Sequence, residues 1–392
     1  MSSGSLEEFA NKKLRSLERR NLRRTLTTSN RLTGSRIEND DRTLVSFSCN
    51  DYLGLANDPR TTAASVAATK RFGAGAGASR LITGSHVLYE DLERGLAALK
   101  GTDDAVVFGS GYLANLGIIP VLTGRPDLIL YDELSHSCML AGARLSGATT
   151  AAFGHNDTED LARALRARRS DHRHCLILTE GVFSMEGDLA PLPELAALAE
   201  RWDAWLMTDD AHGLGVVGAG RGSAFAHDVE VDVPLQMGTL SKAVGSYGGY
   251  LCASESVCEL VRNRARSFVF STGLPPGAVA AATEALRVIR DDAGRVARPL
   301  ELARRFTGTL GLPRAESAIV PLVIGSNREV LEASAALGEA GFLVAAIRPP
   351  TVPDGTARLR FTFSATHSDQ DVAALVAAVQ GLGIEPPAAA DA

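Results

Sequence analysis

Two short segments carry reactive side chains at the ends of predicted strands. Residues 207–213 end one strand at Asp209 and place His212 in the turn that follows it. Residues 239–243 follow a later strand and hold Lys242, 33 positions after Asp209. Because parallel α/β sheets bind ligands at the carboxyl ends of their strands, the two segments predict one shared site.

A lysine and an acid in this order are typical of a site for pyridoxal phosphate, an aldehyde cofactor that withdraws electrons. The amine of Lys242 can form a Schiff base with the aldehyde. Asp209, if buried, can keep the pyridine nitrogen protonated. Taken singly, such residues are more often a surface lysine and a turn-capping acid. Their order and spacing favour the cofactor site.

The run Gly-Ser-Gly-Tyr-Leu-Ala-Asn at 109–115 follows a predicted strand and opens a predicted helix. Glycine lets the backbone approach a phosphate, and the helix N-terminus offers N–H donors and positive dipole. A plain strand-to-helix turn explains this run equally well by itself. Together with Lys242, the run favours phosphate binding.

A second glycine-rich run, 73–78, matches a dinucleotide fingerprint only superficially. It follows the helical pattern 66–72 and not a strand, so a nicotinamide site lacks the required context. We expect a flexible loop near the active site.

His136 and Ser184 also follow predicted strands. An imidazole can stack on a pyridine ring, and a serine hydroxyl can bind the phenolic oxygen of such a cofactor. His136 could equally be a satisfied structural histidine, and Ser184 could simply cap a turn.

Near the C-terminus a proline-rich loop, 347–353, precedes a predicted strand with Arg358 and Arg360. Residues two apart on a strand point to the same face. An arginine there can bind a carboxylate through two parallel hydrogen bonds. Two solvated arginines at a strand edge are the alternative.

The coarse pattern predicts an α/β protein, in which apolar strands alternate with helices to form a mainly parallel sheet covered on both faces. We expect an N-terminal arm (1–45), a large cofactor-binding domain (46–290), a smaller C-terminal α/β domain with an antiparallel sheet (291–385), and a disordered tail (386–392). Predicted strands of the large domain are 105–108, 128–131, 150–153, 175–178, 205–208, 235–238 and 250–253, and those of the small domain are 319–324, 343–347 and 358–363.

Composition narrows the functional class. The 392 residues carry a formal net charge of −6, which gives no indication of a nucleic-acid partner. No apolar run approaches the roughly 20 residues of a membrane span. Five cysteines without a CxxC pair indicate reduced thiols in a cytoplasmic protein rather than a disulfide framework or a metal site. The basic, amphipathic N-terminal segment predicts a helix, which we expect to pack on its own protein; binding to a membrane surface is the alternative.

Several motifs in combination resemble the α-oxoamine synthases, a branch of the fold-type-I pyridoxal-phosphate enzymes, over about residues 6–383. The motifs are NDYLGL at 50–55, SGY at 110–112, SH at 135–136, EGVFSM at 180–185, DDAHG at 209–213 and TLSKA at 239–243. Gly77-Ala78-Ser79-Arg80, where the family often has Gly-Gly-Ser-Arg, and Tyr89, where it often has histidine, depart from the pattern and affect loop detail only.

The resemblance implies a role for each matching position. Lys242 would hold pyridoxal 5'-phosphate, Asp209 would pair with its ring nitrogen, and His136 would stack on the ring. His212 and Ser184 would contact the phenolic oxygen, while Gly111, Tyr112 and Thr239 would lie near the phosphate. The substrate contacts would be Arg360 on the amino-acid carboxylate, together with Thr351, His136 and an arginine of the first helix, either Arg23, which the alignment favours, or Arg24.

The loop 347–353 and the segment 355–360 resemble those of family members in biotin biosynthesis. The implied activity is decarboxylative condensation of L-alanine with a pimeloyl thioester, from coenzyme A or an acyl carrier protein, by a homodimer. Three competing hypotheses are a relative that uses glycine, serine or a different thioester, a catalytically inactive scaffold, and a nicotinamide dehydrogenase. The intact set of Lys242, Asp209 and His212 argues against a scaffold.

Overall fold

A computed structural model describes residues 3–39, 42–229 and 231–384. The chain divides into two compact units. The first unit contains described residues of 1–49, 302–315 and 319–392, and the second contains those of 50–301 and 316–318. The predicted tail, 386–392, lies outside the described residues.

The strands of the described chain are short. They are β1 (Asn30–Arg31), β2 (Arg36–Asn39), β3 (Arg42–Ser46), β4 (Asp104–Phe108), β5 (Leu128–Asp132), β6 (Thr149–Phe153), β7 (Cys175–Glu180), β8 (Trp205–Asp209), β9 (Leu235–Thr239), β10 (Gly249–Ala253), β11 (Ile319–Gly325), β12 (Phe342–Leu343), β13 (Ala345–Ile347) and β14 (Ala357–Thr362).

The α-helices alternate with these strands through most of the chain. They are α1 (Ser3–Arg19), α2 (Pro59–Phe72), α3 (Leu88–Lys100), α4 (Gly111–Leu122), α5 (Ser137–Ser146), α6 (Thr158–Arg168), α7 (Leu192–Arg201), α8 (Glu255–Arg264), α9 (Arg266–Val269), α10 (Pro276–Asp291), α11 (Ala293–Leu310), α12 (Asn327–Glu339) and α13 (Asp369–Gly381). No helix among the described residues is both long and apolar enough to cross a membrane.

The second unit is built on a seven-stranded sheet in the order β4-β10-β9-β8-β7-β5-β6. Pairs from β6 through β9 are parallel, and β10 runs antiparallel to both β9 and β4. Every residue of β7 is buried. Leu176 and Leu178 pack in one apolar cluster with α4 and α5, whereas Cys175 and Ile177 pack in another with α6 and α7. This alternation confirms a mainly parallel sheet covered by helices on both faces.

The order of this sheet positions the site. β9, β8, β7 and β5 are consecutive parallel neighbours, so their carboxyl ends lie along one edge. These four ends carry Thr239, Asp209, Glu180 and Asp132. Polar side chains from distant parts of the sequence are thereby brought to one row.

The first unit contains two smaller sheets. One is antiparallel, in the order β11-β14-β13, as expected for the C-terminal region. The other has the order β1-β2-β3-β12, with β12 parallel to β3. The single strand predicted at 343–347 is therefore wrong, since this segment is divided between the two sheets. Val344, which separates the two strands, is itself buried.

Arg358 and Arg360 lie on the central strand of the antiparallel sheet, and only 6% and 5% of their surfaces are exposed. The alternative of two solvated edge arginines is therefore wrong. Buried guanidinium groups need polar partners, which makes a structural or binding role more favourable than a solvated one.

The N-terminal helix α1 forms as predicted, but its apolar side does not pack on the described chain. Leu6 and Phe9 are 70% and 59% exposed. After the helix, the backbone oxygens of Arg20 and Asn21 accept from Asn327 and Arg348. The expectation that this helix packs on its own chain is wrong, because its anchor is the following turn.

Candidate functional site

Asp209 ends β8 and is almost completely buried. The side-chain amide of Asn115 donates to its Oδ2 at 2.8 Å, and the backbone N–H of Ala211 donates to its Oδ1 at 3.1 Å. Burial raises the pKa of Asp209, and the positive charge of Lys242 acts in the opposite direction. A cation beside this carboxylate would favour its ionised form.

His212 and Lys242 are in direct contact. The Nζ atom of Lys242 lies 2.7 Å from Nε2 of His212. The other ring nitrogen, Nδ1, lies 2.6 Å from the hydroxyl of Tyr52, which is fully buried. The His212 ring therefore contacts Lys242 through one nitrogen and Tyr52 through the other. Sequence reasoning did not assign a role to Tyr52, although it lies in the quoted NDYLGL motif.

The N-terminus of α4 meets the ends of β9 and β10. A Cβ atom at Gly111 would lie 3.3 Å from Cβ of Thr239, so glycine permits this close approach. Ser110 caps the helix by accepting from the N–H of Leu113 at 3.2 Å. Tyr112 is exposed, and the hydroxyl of Thr239 lies 2.8 Å from that of Ser241. Helix N–H groups and hydroxyls at this point can bind an anion.

His136 occupies the N-cap position of α5, just after β5. Its Nδ1 atom lies 2.8 Å from Sγ of Cys138. Desolvation lowers the pKa of His136; the charge of Asp209 raises it and that of Lys242 lowers it further. This ring is therefore neutral at physiological pH and lies within the electrostatic reach of both predicted cofactor residues.

Ser184 follows β7 and is largely buried, and its backbone N–H donates to Oε2 of Glu180 at 3.0 Å. Glu180 is the parallel-strand neighbour of Asp209. Burial, reinforced by the charge of Asp209, raises the pKa of Glu180 to about 8. Glu180 is thus mainly protonated at neutral pH, which avoids two adjacent buried charges.

His155 joins the two loops that carry His136 and Ser184. Its Nδ1 atom lies 3.1 Å from Asp132 at the end of β5, and its Nε2 atom lies 2.9 Å from Asp188 in the loop after β7. Burial alone would lower the pKa of His155, but hydrogen bonds with the two acids raise it to about 10. The charged ring therefore clamps the two loops together.

Asp210, next to Asp209, faces a different environment. Its Oδ2 atom accepts from Nζ of Lys100 at 2.6 Å, and neither side chain is exposed. The lysine also donates to the backbone oxygen of Arg221 at 2.7 Å, and the backbone N–H of Ser223 donates to Asp210. The Lys100–Asp210 pair therefore holds the loop after His212 in place. Asp209 is the acid whose pKa is affected by the charge of Lys242.

The predicted substrate residues of the first unit form a separate group. The guanidinium of Arg24 donates to the hydroxyl of Thr351 at 2.9 Å, whereas Arg23 pairs with Glu18. Both arginines follow α1, which ends at Arg19, so their expected position in the helix is wrong. The observed contact favours Arg24 as the partner of Thr351.

The residues fit pyridoxal phosphate. Asp209 is a buried acid whose pKa is raised, as expected for a carboxylate that receives a ring cation. Gly111 leaves room beside Thr239 at a helix N-terminus, where a phosphate is favoured. Lys242 is partly exposed, and its amine lies at hydrogen-bond distance from His212, as suits a lysine that binds an aldehyde.

Three residues that contact or adjoin the predicted site residues were not identified from the sequence. Asn115 and Glu180 contact or adjoin Asp209, and Tyr52 contacts His212. Asn115 lies four positions after Gly111, about one helical turn, so it faces the same side of α4 as the predicted phosphate residue. That spacing was the available signal for Asn115. Tyr52 lies 160 positions from His212, so its motif gives no indication that the two side chains are in contact.

Comparison with protein-family models matches residues 42–379 to "Aminotransferase class I and II". The chain belongs to this family. It is 55% identical to the 8-amino-7-oxononanoate synthase of Maricaulis maris over 97% of each chain. It is 56% identical to the enzyme of that name from Methylobacterium nodulans, again over 97% of each chain. The resemblance to α-oxoamine synthases is thereby confirmed.

Solved structures support the same fold. The serine palmitoyltransferase of Sphingomonas wittichii has a TM-score of 0.91 at 31% identity, with 98% of each chain covered. A serine palmitoyltransferase determined with PLP in an internal aldimine has a TM-score of 0.89 at 29% identity, with the same coverage. The predicted fold-type-I α/β architecture is therefore confirmed.

Proposed function

We propose that this chain is a pyridoxal-phosphate-dependent acyltransferase that condenses L-alanine with a pimeloyl thioester to give 8-amino-7-oxononanoate, CO2 and a free thiol, in biotin biosynthesis. The observation that carries the proposal is the Asp209–His212–Lys242 arrangement in a chain 55–56% identical to named 8-amino-7-oxononanoate synthases. A scaffold needs no such arrangement.

When bound, pyridoxal phosphate supplies an electron sink for the α-carbon of an amino acid. Lys242 would hold its aldehyde carbon, and Asp209 its ring nitrogen. The first N–H groups of α4, at Gly111 and Tyr112, would bind the phosphate with Thr239. His136 would lie on the ring, while His212 and Ser184 would bind the phenolic oxygen.

The protein side chains would transfer the proton, position the reacting groups and stabilise charge. Lys242 removes the α-proton of alanine with Nζ and returns a proton to the product, while His212 holds that nitrogen in place. Asp209 stays ionised beside a cation and stabilises it electrostatically. Glu180, protonated at neutral pH, adds no competing charge.

For the substrate, Arg360 would bind the alanine carboxylate through its planar guanidinium. Thr351 and Arg24, which are hydrogen-bonded to each other, would contact the substrate, with Arg24 favoured over Arg23 by this contact. The acyl donor is a pimeloyl thioester of coenzyme A or of an acyl carrier protein.

We further propose that the enzyme is a homodimer that acts in the cytoplasm. None of its five cysteines, all in the described part of the chain, forms a disulfide, which suits a reducing compartment. Burial raises the pKa of the Cys138, Cys175 and Cys258 thiols to about 12, so these side chains are unreactive.

Mass spectrometry of the products tests this assignment. Alanine, glycine and serine are each offered with pimeloyl and palmitoyl thioesters, on coenzyme A and on acyl carrier protein. We expect alanine with a pimeloyl thioester to give the highest kcat/KM. Glycine or serine exceeding alanine by about tenfold would place the chain on another branch of the family, since that ratio corresponds to ~1.4 kcal/mol of transition-state preference.

A second experiment tests the attachment site. Borohydride reduces a Schiff base to a stable secondary amine, and peptide mapping then identifies the modified lysine. Lys242 should carry the cofactor, and Lys100, which is fully buried, serves as the internal control. Modification of another lysine would contradict the assignment.

A further inference from the structure

Four side chains of the second unit form a continuous row of hydrogen-bond contacts from Asp209 to His136. The amide nitrogen of Asn115 donates to Oδ2 of Asp209 at 2.8 Å and to Sγ of Cys138 at 3.1 Å. The same sulfur atom lies 2.8 Å from Nδ1 of His136. Asn115 is fully buried and Cys138 is 3% exposed, whereas His136 is exposed. The row therefore connects a buried acid to a ring that a ligand can reach.

The direction of each contact follows from the groups that can only donate. The backbone N–H of Cys138 donates to Nδ1 of His136 at 3.3 Å, so this ring nitrogen carries no proton. The thiol of Cys138 approaches the same nitrogen and must therefore donate its own proton to it. An amide nitrogen also can only donate, so the sulfur accepts from Asn115. The single ring proton of neutral His136 is then on Nε2.

We propose that Cys138, itself oriented by Asn115, is a positioning residue that holds His136 as its Nε2–H tautomer and fixes the orientation of its ring. Nε2 is on the far side of the ring from these contacts and is left to donate to an anionic oxygen of a ligand. An exposed side chain would otherwise rotate, and the contacts with Cys138 remove that freedom before a ligand binds. The use of this orientation rests on the place of His136 in the proposed function, whereas the tautomer itself does not.

Nitrogen-15 NMR can identify the tautomer directly, because it distinguishes the protonated and bare ring nitrogens of labelled histidine. The sample is the full-length chain from which pyridoxal phosphate has been removed, and His136→Gln identifies the signal of His136 among the eight histidines. We expect Nε2–H in the unaltered protein at neutral pH. Cys138→Ala leaves only the longer backbone contact and should give signals averaged between the two tautomers. Cys138→Ser keeps a side chain that donates and accepts, and should restore Nε2–H.

Cys258→Ala is the matched control. Cys258 is also buried and packs in the same apolar cluster as Cys138. The same atom is therefore removed from the same cluster without the loss of a contact to His136. The tautomer and the turnover of this variant should equal those of the unaltered protein, and urea unfolding shows that both alanine variants are folded.

The affinity for pyridoxal phosphate, measured by absorbance titration of the cofactor-depleted chain, separates positioning from simple structural support. The Kd should rise about three- to tenfold in Cys138→Ala, the range expected for one lost hydrogen bond, and stay within about twofold in Cys138→Ser and Cys258→Ala. An Nδ1–H signal in the unaltered protein, an unaltered tautomer in Cys138→Ala, or equal losses of affinity in the two alanine variants would each overturn the inference. If the chain binds pyridoxal phosphate but condenses no alanine, the proposed function fails while the tautomer and the affinities still decide this inference.

Discussion

Two neighbouring acids at the end of β8 are used in opposite ways. Asp210 contacts Lys100 directly at 2.6 Å, and neither side chain is exposed. Asp209 instead accepts from the neutral donors Asn115 and Ala211, and burial raises its pKa. The first acid is neutralised within the protein, whereas we propose that the second receives a cation from a ligand.

The two lysines differ in the same sense. Lys100 is enclosed by Asp210 and the backbone oxygen of Arg221, and thus has no accessible amine. Lys242 is partly exposed and contacts an imidazole, that of His212, rather than a carboxylate. The buried ion pair fixes the backbone of the turn, and we propose that this rigidity positions the adjacent Asp209 and His212 for a ligand.

The largest effect is expected for Lys242→Ala, which removes the more exposed of the two lysines. Removing the amine should abolish detectable turnover, because no other group can hold the aldehyde and move the α-proton. The fold should persist, since Lys242 lies partly exposed in the bend that follows β9. Product formation and circular dichroism measure the two outcomes, and turnover above one-hundredth of the original rate would contradict the role of Lys242.

The acids provide the next contrast. Asp209→Asn should lower kcat by about 100- to 1,000-fold, the usual cost of one strong electrostatic contact in the transition state, or roughly 2.7–4 kcal/mol. Asp210→Asn should lower kcat by less than about tenfold, because its charge is directed at Lys100. Steady-state kinetics on both variants measure the two losses of kcat. Equal losses would show that the two acids had been distinguished wrongly.

Lys100→Met should act on stability and not on chemistry. It leaves the buried carboxylate of Asp210 unpaired, which typically costs about 3–5 kcal/mol of unfolding free energy. Adding Asp210→Asn should recover part of that loss, because the unpaired charge is removed. Urea unfolding gives the values, and a single variant as stable as the original protein would refute the structural role of this pair.

Much of this contrast was predictable because it depends on local patterns. Buried strands such as β7 read as continuous apolar runs, and their ends lie on one edge by the rules of parallel sheets. The positions of Asp209, His212 and Lys242 followed from those rules. Family resemblance then supplied the roles that local patterns could not.

The rest depended on contacts between distant residues. Lys100 lies 110 positions from Asp210, and Tyr52 lies 160 positions from His212. A lysine in the last turn of α3 looks like an ordinary C-terminal charge, since helix ends favour cations. Nothing in the local sequence shows that Lys100 is buried against Asp210. The burial of Arg358 and Arg360 was missed for the same reason, because strand order decides which strand is central.

His155 is another cation that is neutralised within the protein, here by two acids, Asp132 and Asp188. Its pKa of about 10 in the folded state exceeds the ordinary 6.5, so its stabilising effect is complete below about pH 6.5 and is lost as the pH rises toward 10. His155→Gln should therefore cost about 3 kcal/mol of unfolding free energy at pH 6 and progressively less up to pH 10. Urea unfolding across this pH range measures the difference, and a pH-independent cost would rule out the charged clamp.

The smallest expected effect concerns the two buried arginines of β14, for which we propose the same contrast between a structural and a ligand-binding charge. Nε of Arg358 donates to the backbone oxygen of Thr356 at 3.0 Å, a contact that fixes the start of the strand. Arg360→Lys should raise KM for alanine about tenfold, since an ammonium cannot reproduce the planar pair of hydrogen bonds to a carboxylate.

Arg358→Lys is the matched control, as it makes the same exchange two residues away on the same strand face. It should change KM for alanine less than about twofold and lower stability by about 1 kcal/mol through loss of its hydrogen bond. Initial rates over a range of alanine concentrations, at saturating thioester, measure the two KM values, and urea unfolding measures the stability. A larger rise in KM for Arg358→Lys than for Arg360→Lys would exchange the two assignments, because the carboxylate would then be bound by the arginine nearer the start of the strand.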